Sequence, residues 1–398
     1  MIGQLDPLYN SGDITWSVFG VVAIKVVAAF VILLVSVMLY IWGMRKVIAD
    51  MQNRIGPNRA GPYGVLQTLA DGIKLFFKEQ SIPSSADRSV FRLAPYLSIL
   101  PAFLMFCIIP IGGQVSILGH QTYLQVMELP VGALWILGMS GVGVYGIMLA
   151  GWSSGSKYPL LGSVRASAQM VSYEAAMALS VMAVILVTGS LTTNAIVNWQ
   201  AGSGPGNFIP NWAVFLTGLV PFVIFVIAGT AELNRPPFDL VEAEQELVGG
   251  FHTEYSSIRF ALFFLAEFMN TVVMSAIIVT LFFGGPAGPQ LFGPDIIWGF
   301  FWFVAKLFVF LCIFIWFRAT LPRLRYDQLM DLGWKVLIPL ALGWLLLLAA
   351  IKLGQQLDWN LGAVIVGAIA IMGAATGLLV AAVRSAKRTA DDDVVVID

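Results

Sequence analysis

Nine apolar runs, each long enough to cross a bilayer, constrain this 398-residue chain more than any other feature. A spanning helix needs about 20 predominantly apolar residues. Charged residues make up only 11% of the chain, against roughly 25% in a soluble domain. The fold class predicted is therefore an all-α polytopic membrane protein with about nine transmembrane helices. The runs cover residues 18–42, 93–111, 131–151, 163–187, 212–231, 258–283, 296–317, 332–351 and 361–383.

The positive charges are segregated between alternate connections of these runs. Nineteen of the 22 Lys and Arg residues lie in or beside one set of connections, whereas 112–130, 188–211 and 284–295 contain none. Because cytoplasmic loops are enriched in Lys and Arg, the N-terminus is predicted outside and the C-terminus in the cytoplasm. The other three, Lys25, Lys306 and Lys352, lie in or at the outer halves of helices, where we expect them to snorkel outward.

An acidic stretch, AELNRPPFDLVEAEQELVGGFHTEY, follows the fifth run, with only Arg235 to offset its carboxylates. Crowded like charges and desolvation both raise carboxyl pKa values, so we expect several of these groups to exchange protons near neutral pH. If Pro236–Pro237 begin a helix, Asp239, Glu242 and Glu246 share one face and Glu244 is turned away. Acidic residues also suit a helix N-terminus, which is the structural alternative for Asp239.

The first inner connection predicts an amphipathic helix in the membrane interface. After the Gly- and Pro-rich segment RIGPNRAGPYG, apolar residues recur at helical spacing from Val65 to Phe77. Gln67, Asp71 and Lys74 fall on the opposite face. The helix is either a simple headgroup anchor or a lateral wall or gate for a lipid-soluble ligand, and the periodicity leaves both open.

Two carboxylates lie inside spanning runs. Glu174 is nine residues past Arg165 and Glu267 nine past Ile258, which places each about 14 Å below the inner surface. Since placing a charge at this depth in the membrane costs at least ~2.5 kcal/mol, a functional role is the first hypothesis for both carboxylates. With Glu232, they form a possible stepwise carboxylate path. The alternative is a protonated, hydrogen-bonded structural strut.

Other features set limits on the chemistry of the chain. Cys107 and Cys312 lie in apolar runs without a CxxC neighbour, and His120 and His252 are single, so the sequence predicts no iron–sulfur cluster and no metal site. The net charge is −1, and nucleic acid is not an expected partner. The arginines of RATLPRLRYDQLMDLGWK are explained either by topology or by pairing with the acidic stretch.

Five long motifs in one order resemble the H subunit of the proton-pumping NADH:quinone oxidoreductase, respiratory complex I, and its mitochondrial counterpart, NADH dehydrogenase subunit 1. They are RIGPNRAGPYG with ADGIKLFFKE, GWSSGSKYPLLGSVRASAQMVSYE, the acidic stretch, LAEF and RYDQLMDLGWK. The resemblance covers about residues 15 to 350. It implies a multi-pass subunit of a hetero-oligomeric translocase in the bacterial plasma membrane. The subunit is expected to contact lipid and to take part in respiratory electron transport from NADH.

The resemblance also implies site residues and a substrate, menaquinone or ubiquinone, with no flavin, iron–sulfur cluster or metal on this chain. The implied quinone chamber or entrance contains Arg54, Gly56, Pro57, Asn58, Asp71 and Phe238. The implied proton-coupling residues are Glu232, Asp239, Glu242, Glu244, Glu246, Glu174 and Glu267. The loop implied to face the peripheral arm of the complex contains Arg318, Arg323 and Arg325.

The C-terminus departs from the family pattern, because many members stop after eight spans. We therefore divide the chain into residues 1–352, an eight-span membrane domain that resembles the H subunit, and residues 353–398, a ninth helix with a charged cytoplasmic tail. This extension fits a bacterial enzyme better than an organellar one.

Two other functions remain open at this point. A secondary cation/proton transporter also uses buried carboxylates, but no convincing repeat joins the halves of this chain. The equivalent subunit of a membrane-bound hydrogenase differs only in the partner subunits that supply electrons.

Overall fold

The computed structural model describes residues 6–10, 15–202, 211–239, 248–289 and 295–359, with five single positions beyond them. Almost all of the regular structure in these ranges is helical. The α-helices are α1 (Pro7–Asn10), α2 (Trp16–Met51), α3 (Gln67–Phe77), α4 (Arg88–Phe106), α5 (Gly132–Ser153), α6 (Lys157–Thr188), α7 (Thr193–Gln200), α8 (Ala213–Leu216), α9 (Leu219–Glu232), α10 (Ser257–Phe282), α11 (Asp295–Thr320), α12 (Tyr326–Asp331) and α13 (Ile338–Gln356).

Seven helical segments in these ranges are long and apolar enough to cross a membrane. They are α2, α4, α5, α6, α10, α11 and the continuous segment Tyr326–Gln356, in which a π-helical turn, Leu332–Leu337, joins α12 to α13. The all-α polytopic class is therefore confirmed. The predicted ninth span lies almost wholly outside the described residues, and the predicted orientation stays a prediction.

The predicted fifth span, residues 212–231, is divided into α8 and the 14-residue α9. Gly218 breaks it with a φ of 79°, a backbone conformation that glycine adopts without strain. A Cβ at Gly218 would lie 2.8 Å from Trp344 Cζ2, and the Trp344 Nε1–H donates to the Thr217 carbonyl at 2.8 Å. Contact with α13 therefore holds the break in place.

The spanning helices pack around α6, which contacts α5, α9 and α13. The most enclosed of the seven is α10, with 72% of its most apolar window buried inside the protein. The turn after α9 meets α10, since Arg235 of this turn lies 3.0 Å from Glu267 of α10.

The amphipathic helix of the first inner connection is confirmed as α3, which begins at Gln67, two residues later than predicted. A 3₁₀ turn, Pro62–Gly64, precedes it. Gly64 has a φ of 76°, and a Cβ there would lie 2.4 Å from the Pro57 carbonyl carbon, so the opening segment is not regular helix, as expected.

A β-hairpin that the sequence analysis did not anticipate lies between α4 and α5. Strands β1 (Gln114–Ile117) and β2 (His120–Tyr123) pair antiparallel, with Ile117 opposite His120. The turn residues Leu118 and Gly119 both have positive φ, which suits the right-handed twist of the strands.

Two of the three outlying lysines do not snorkel to solvent. Lys25 is 7% exposed and ion-paired. Lys306 Nζ donates to the carbonyls of Phe283, Gly285 and Ala287. Carbonyls at and beyond a helix end lack intrahelical partners. Lys306 therefore supplies hydrogen bonds to the carbonyls of the segment after α10. Lys352 Nζ donates to the Val187 carbonyl.

Candidate functional site

A cavity lies where the acidic stretch meets the spanning helices. It is enclosed by α4, α5, α6, α10, the end of α9 and the 3₁₀ turn Gly250–His252. Its apolar walls include methionine and phenylalanine side chains. The described polar side chains that line it are Ser98, Ser140, Glu232, Asn234, His252, Glu267 and Asn270.

Glu232, the last residue of α9, places a buried carboxylate at this cavity. One carboxylate oxygen accepts a hydrogen bond from the Ser140 hydroxyl of α5. The other oxygen, Oε2, is fully buried and has no hydrogen-bond partner among the described residues. A buried polar atom without a partner is costly, so this oxygen is suited to bind a proton, a water molecule or a ligand.

Glu174 of α6 lies close enough to Glu232 for the two carboxylates to interact electrostatically. It faces α5 at Gly141, where a Cβ would come within 3.0 Å of Glu174 Oε1. Glycine at position 141 therefore gives this intramembrane carboxylate its space.

Glu267 of α10 pairs with Arg235, which the sequence analysis noted only as a counter-charge. Arg235 Nη2 lies 3.0 Å from Glu267 Oε1, although the two groups do not form a well-aligned hydrogen bond. The Arg235 guanidinium also lies 4.4 Å from the centroid of the Phe268 ring. Arg235 is 5% exposed, so this pair lies largely out of water.

Gln169 of α6 holds the turn that follows α9. Its side-chain amide donates to the carbonyls of Ala231, at 2.7 Å, and Phe238, at 2.9 Å. Gln169 has no exposed surface, and the Ala231 carbonyl also accepts a hydrogen bond from the Asn234 N–H at 3.2 Å. Gln169 lies in a predicted span, and a polar residue there is a signal that the sequence analysis did not use.

Asp239 joins the acidic stretch to the loop before α12. Its carboxylate pairs with Arg323 Nη2 at 3.1 Å, and the Leu324 N–H donates to the Pro237 carbonyl at 3.0 Å. Of the two explanations for these arginines, pairing with the acidic stretch therefore applies to Arg323. Arg325 instead lies at the exposed N-terminus of α12.

His252 lies beside this link and lines the cavity. Burial lowers the pKa of His252 to about 4, and the nearby Asp239 carboxylate opposes this shift only in part. The imidazole is therefore neutral at physiological pH.

The residues of the implied quinone entrance lie apart from the cavity, around the junction of α2 and α3. Arg45 Nη1 donates to Asp71 Oδ2 at 2.7 Å, and Gln67 Nε2 donates to Oδ1. Burial acts to raise the pKa of Asp71, but the Arg45 and Gln67 hydrogen bonds outweigh it and hold the pKa below its usual value. Gly56 packs against Arg45, Lys46 and Ala49, and Pro57 against Gly64.

Three other predicted site residues have different surroundings. Phe238 is buried with its ring centroid 5.3 Å from that of Tyr173, and the Tyr173 hydroxyl donates to the Leu329 carbonyl, so both rings pack in the core. Arg54 is exposed and donates to Gln52. Arg318 Nη1 lies 3.3 Å from the Met44 sulfur. Glu242, Glu244 and Glu246 lie outside the described residues, so the prediction that Asp239, Glu242 and Glu246 share one helix face, with Glu244 turned away, is not tested.

Comparison with known proteins gives a consistent assignment. The family described as NADH dehydrogenase matches residues 24–349. The H subunit of NADH-quinone oxidoreductase from Frankia alni is 52% identical over 365 residues, which cover 89% of this chain and 79% of that protein. The protein of the same name from Frankia casuarinae is 51% identical with the same coverage.

Proposed function

The chain belongs to the NADH dehydrogenase family, as a membrane subunit of NADH-quinone oxidoreductase of the H type, and we propose that it forms the quinone-binding chamber and couples quinone reduction to proton translocation. The bound substrate is menaquinone or ubiquinone. The partners are the other subunits of complex I and the lipid of a bacterial plasma membrane, and the chain itself carries no redox centre.

The observation that carries this proposal is the half-partnered carboxylate of Glu232 in a cavity with apolar walls. Reduction of a quinone to a quinol requires two protons, and an anionic intermediate changes the local field. A buried carboxylate whose second oxygen has no hydrogen-bond partner among the described residues responds to such a change by binding or releasing a proton. Asn270, whose Oδ1 is buried with no hydrogen-bond partner in the part of the chain that the structure describes, lines the same cavity.

Glu174 and the Arg235–Glu267 pair add further charged groups near Glu232. Glu232 and Glu174 interact electrostatically, and Arg235, in the turn after α9, pairs with Glu267 of α10. Protonation of one member of either pair therefore alters the charge felt by the other. We infer that these groups act in coupling, together with Glu242, Glu244 and Glu246.

The α2–α3 junction supports a quinone entrance. The apolar side chains Leu69, Ile73, Phe76 and Phe77 of α3 are all exposed, and Phe77 is 88% exposed. On the membrane surface they form a lipid-facing wall that a long isoprenoid chain can pass. Arg45 and Asp71 fix the polar face of α3 against α2, and Arg54, Gly56, Pro57 and Asn58 form the adjoining loop.

The end of α11 and the loop before α12, which together contain Arg318, Arg323 and Arg325, are proposed to face the soluble redox arm. Arg323 is half exposed while it pairs with Asp239, so it can contact the acidic stretch and a docked subunit. Double replacement of Arg323 and Arg325 by Glu is expected to release the soluble arm from the membrane arm. Retention of the arm in native gels of this variant would count against the docking role.

The test is inhibitor-sensitive NADH:quinone reductase activity of the complex that co-purifies with this chain, together with proton pumping in vesicles. Glu232→Gln keeps the size of the side chain and removes its charge, and we expect the assembled variant to lose at least about tenfold in coupled turnover. The exposed Glu79→Gln is the matched control. Wild-type turnover and a wild-type proton-to-electron ratio in Glu232→Gln would overturn the coupling role.

A further inference from the structure

Two consecutive serines at the start of α10 bind the far end of the amphipathic helix α3. We call the contacts of Ser256 and Ser257 with the segment from Leu75 to Ser81 the serine joint. The contacts join positions 175 to 182 residues apart in the chain. Neither serine lines the cavity described above.

The Ser257 hydroxyl provides the buried half of the joint. Its oxygen lies 2.7 Å from the Lys78 carbonyl oxygen and 2.9 Å from that of Leu75, and the hydroxyl donates to these two acceptors. The last four carbonyls of an α-helix lack intrahelical donors, and Leu75 is among them because α3 ends at Phe77. Ser257 is 1% exposed, so water has little access to this hydroxyl. A side chain of α10 therefore caps the C-terminal end of α3.

Ser256 provides the exposed half of the joint. It is the N-cap residue of α10, a position where the serine hydroxyl usually accepts a backbone N–H of its own helix. The Ser256 side chain makes no such capping bond. Instead, its oxygen accepts the Ser81 N–H at 2.9 Å, and the two hydroxyls lie 3.0 Å apart. Ser256 thus binds the segment after α3 rather than the first turn of α10.

The backbone of Ser257 is strained. Its φ is 58°, in the left-handed region that residues with a Cβ rarely adopt. Strained conformations of this kind persist only where the surrounding structure holds them, and they cluster at functional sites. The strain therefore lies at the residue whose hydroxyl holds the end of α3.

Helix α3 depends on polar contacts for its position in the protein. None of its residues, Gln67–Phe77, is buried. In its first half Asp71 pairs with Arg45 of α2 at 2.7 Å, and at its end Ser257 binds it to α10. Lipid can hold the exposed apolar side chains of α3 at the membrane surface, but a fluid bilayer does not fix their position relative to α10. Loss of the serine joint is therefore expected to free the C-terminal end of α3.

The joint lies beside the aromatic wall of the cavity. Phe260, the first residue of α10 that lines the cavity, is three residues past Ser257, about 4.5 Å along the helix axis. Its ring centroid lies 5.5 Å from that of His252 and 5.8 Å from that of Phe264, which also line the cavity. The end of α3 is therefore bound within one helical turn of the cavity wall.

We propose that Ser256 and Ser257 are positioning residues for the entry of a lipid-soluble substrate with a long apolar tail. The joint keeps the end of α3 at the rim of the cavity, so that the tail meets a wall of fixed position as it moves between membrane and cavity. This inference rests on the proposed quinone chamber, and the substrate class is an isoprenoid quinone. Both serines act through α3 and contact no reacting atom.

The joint acts on apparent affinity rather than on chemistry. When α3 is released, only the fraction of complexes with α3 in place binds the tail well, so the apparent dissociation constant rises by the inverse of that fraction. A quinone with a short tail makes less contact with α3 and depends less on this fraction. The surroundings of Glu232 are unchanged, so kcat is expected to change little.

The test uses the assembled complex with four single substitutions. Ser257→Gly removes the buried hydroxyl, and glycine adopts a positive φ without strain, so the backbone is preserved. Ser256→Ala removes the exposed half of the joint, and Ser256→Thr keeps a hydroxyl there. Ser84→Ala, at an exposed serine between α3 and α4, is the matched control.

The first readout is hydrogen exchange at residues 75–81, which reports on the joint without any substrate. We expect exchange at least about fivefold faster than wild type in Ser257→Gly, at least about twofold faster in Ser256→Ala, and unchanged in Ser84→Ala. Wild-type exchange in Ser257→Gly would overturn the joint. If Ser257→Gly does not assemble, Ser256→Ala decides, because its contact lies at the surface.

The second readout compares a long-tail isoprenoid quinone with a short-tail analogue in proteoliposomes. In Ser257→Gly we expect KM for the long-tail quinone to rise at least about fivefold, with kcat and the short-tail KM within about twofold of wild type. Ser256→Ala is expected to raise the long-tail KM in the same direction, and Ser256→Thr to restore it.

Three results would contradict the positioning role. They are a wild-type long-tail KM in the variants with faster exchange, an equal rise in KM for both quinones, and a fall in kcat alone. Absence of inhibitor-sensitive reductase activity in the wild-type complex would instead overturn the proposed function, and the exchange measurement would still report on the joint. The two failures are therefore distinguishable.

Discussion

Arg235 Nη2 lies 3.0 Å from Glu267 Oε1, which ties the turn after α9 to the middle of a spanning helix. The Arg235 guanidinium carbon also lies 4.4 Å from the centroid of the Phe268 ring, so one side chain contacts both a carboxylate and an aromatic face. This contact joins the described part of the acidic stretch to an intramembrane carboxylate.

The Arg235–Glu267 pair can be tested by a double-mutant cycle. Arg235→Met removes the positive charge beside Glu267, and we expect a loss of about 1–3 kcal/mol in the stability of the assembled complex. The double variant with Glu267→Gln is expected to be less impaired than Arg235→Met alone, because no unpaired charge remains. Reductase turnover and complex yield are the measurements, with the exposed Arg88→Met as control. Additive losses in the double variant would show that the pair is not coupled.

Gln169 is predicted to be a structural requirement for the cavity. Gln169→Leu removes a buried donor from the Ala231 and Phe238 carbonyls. The Ala231 carbonyl keeps the Asn234 N–H, and the loss of the donor to the Phe238 carbonyl costs about 1–3 kcal/mol. We expect a reduced yield of assembled complex and faster proteolysis of the turn after α9. Gln80→Leu, at an exposed position, serves as the matched control. Normal assembly of Gln169→Leu would mean that water replaces the amide.

The Asp239–Arg323 link predicts a charge-reversal phenotype. Arg323→Glu places a negative charge beside a buried carboxylate, so we expect lower quinone turnover, and Asp239→Lys in the same chain is expected to restore part of it. Arg325→Glu, two residues away, is expected to affect turnover less, since Arg325 lies at an exposed helix start. Turnover is measured only on complexes that retain the soluble arm. Failure of the double replacement to recover activity would assign Arg323 to docking alone.

The environment of His252 predicts acid sensitivity of its turn. The pKa of His252 is about 4 in the folded chain, below the usual value near 6.5. Because the unfolded turn binds a proton first, the contribution to stability is present above about pH 6.5 and is lost as pH falls toward about 4. We expect hydrogen exchange at residues 250–252 to increase across this range by an amount equivalent to about 1–3 kcal/mol.

The matched comparison for this prediction uses both histidines of the chain. His252→Asn is expected to abolish the acid-dependent increase in exchange, and His120→Asn to leave it unchanged. An equal pH response in all three chains would show that His252 does not cause it.

Periodicity and charge were sufficient to predict several features of this fold. Seven of the nine long apolar runs correspond to membrane-length helices in the described ranges, and the helical spacing of apolar residues from Val65 to Phe77 corresponds to α3. These features are local, because side chains three or four residues apart share a helix face whatever lies around them. The same reasoning did not find the break at Gly218, since what holds it is Trp344 of a distant helix.

Periodicity and charge predicted only part of the candidate site. Carboxylates in apolar runs identified Glu174 and Glu267, and crowding of charge identified the stretch from Glu232 onward. The partners Arg235, Ser140 and Gln169 were missed because their roles depend on which helices are neighbours. Snorkelling was a wrong expectation for Lys25, which finds Asp6 and Thr122 inside the protein.

The sequence by itself determined that this chain spans a membrane and concentrates acidic groups after its fifth apolar run. Hydrophobicity and charge are properties of each residue, and the bilayer acts on them one segment at a time. The tertiary structure alone decided that Glu232 meets Ser140, that Glu267 meets Arg235 and that Lys25 meets Asp6. These contacts join residues far apart in the chain, and their geometry depends on how the helices pack in three dimensions.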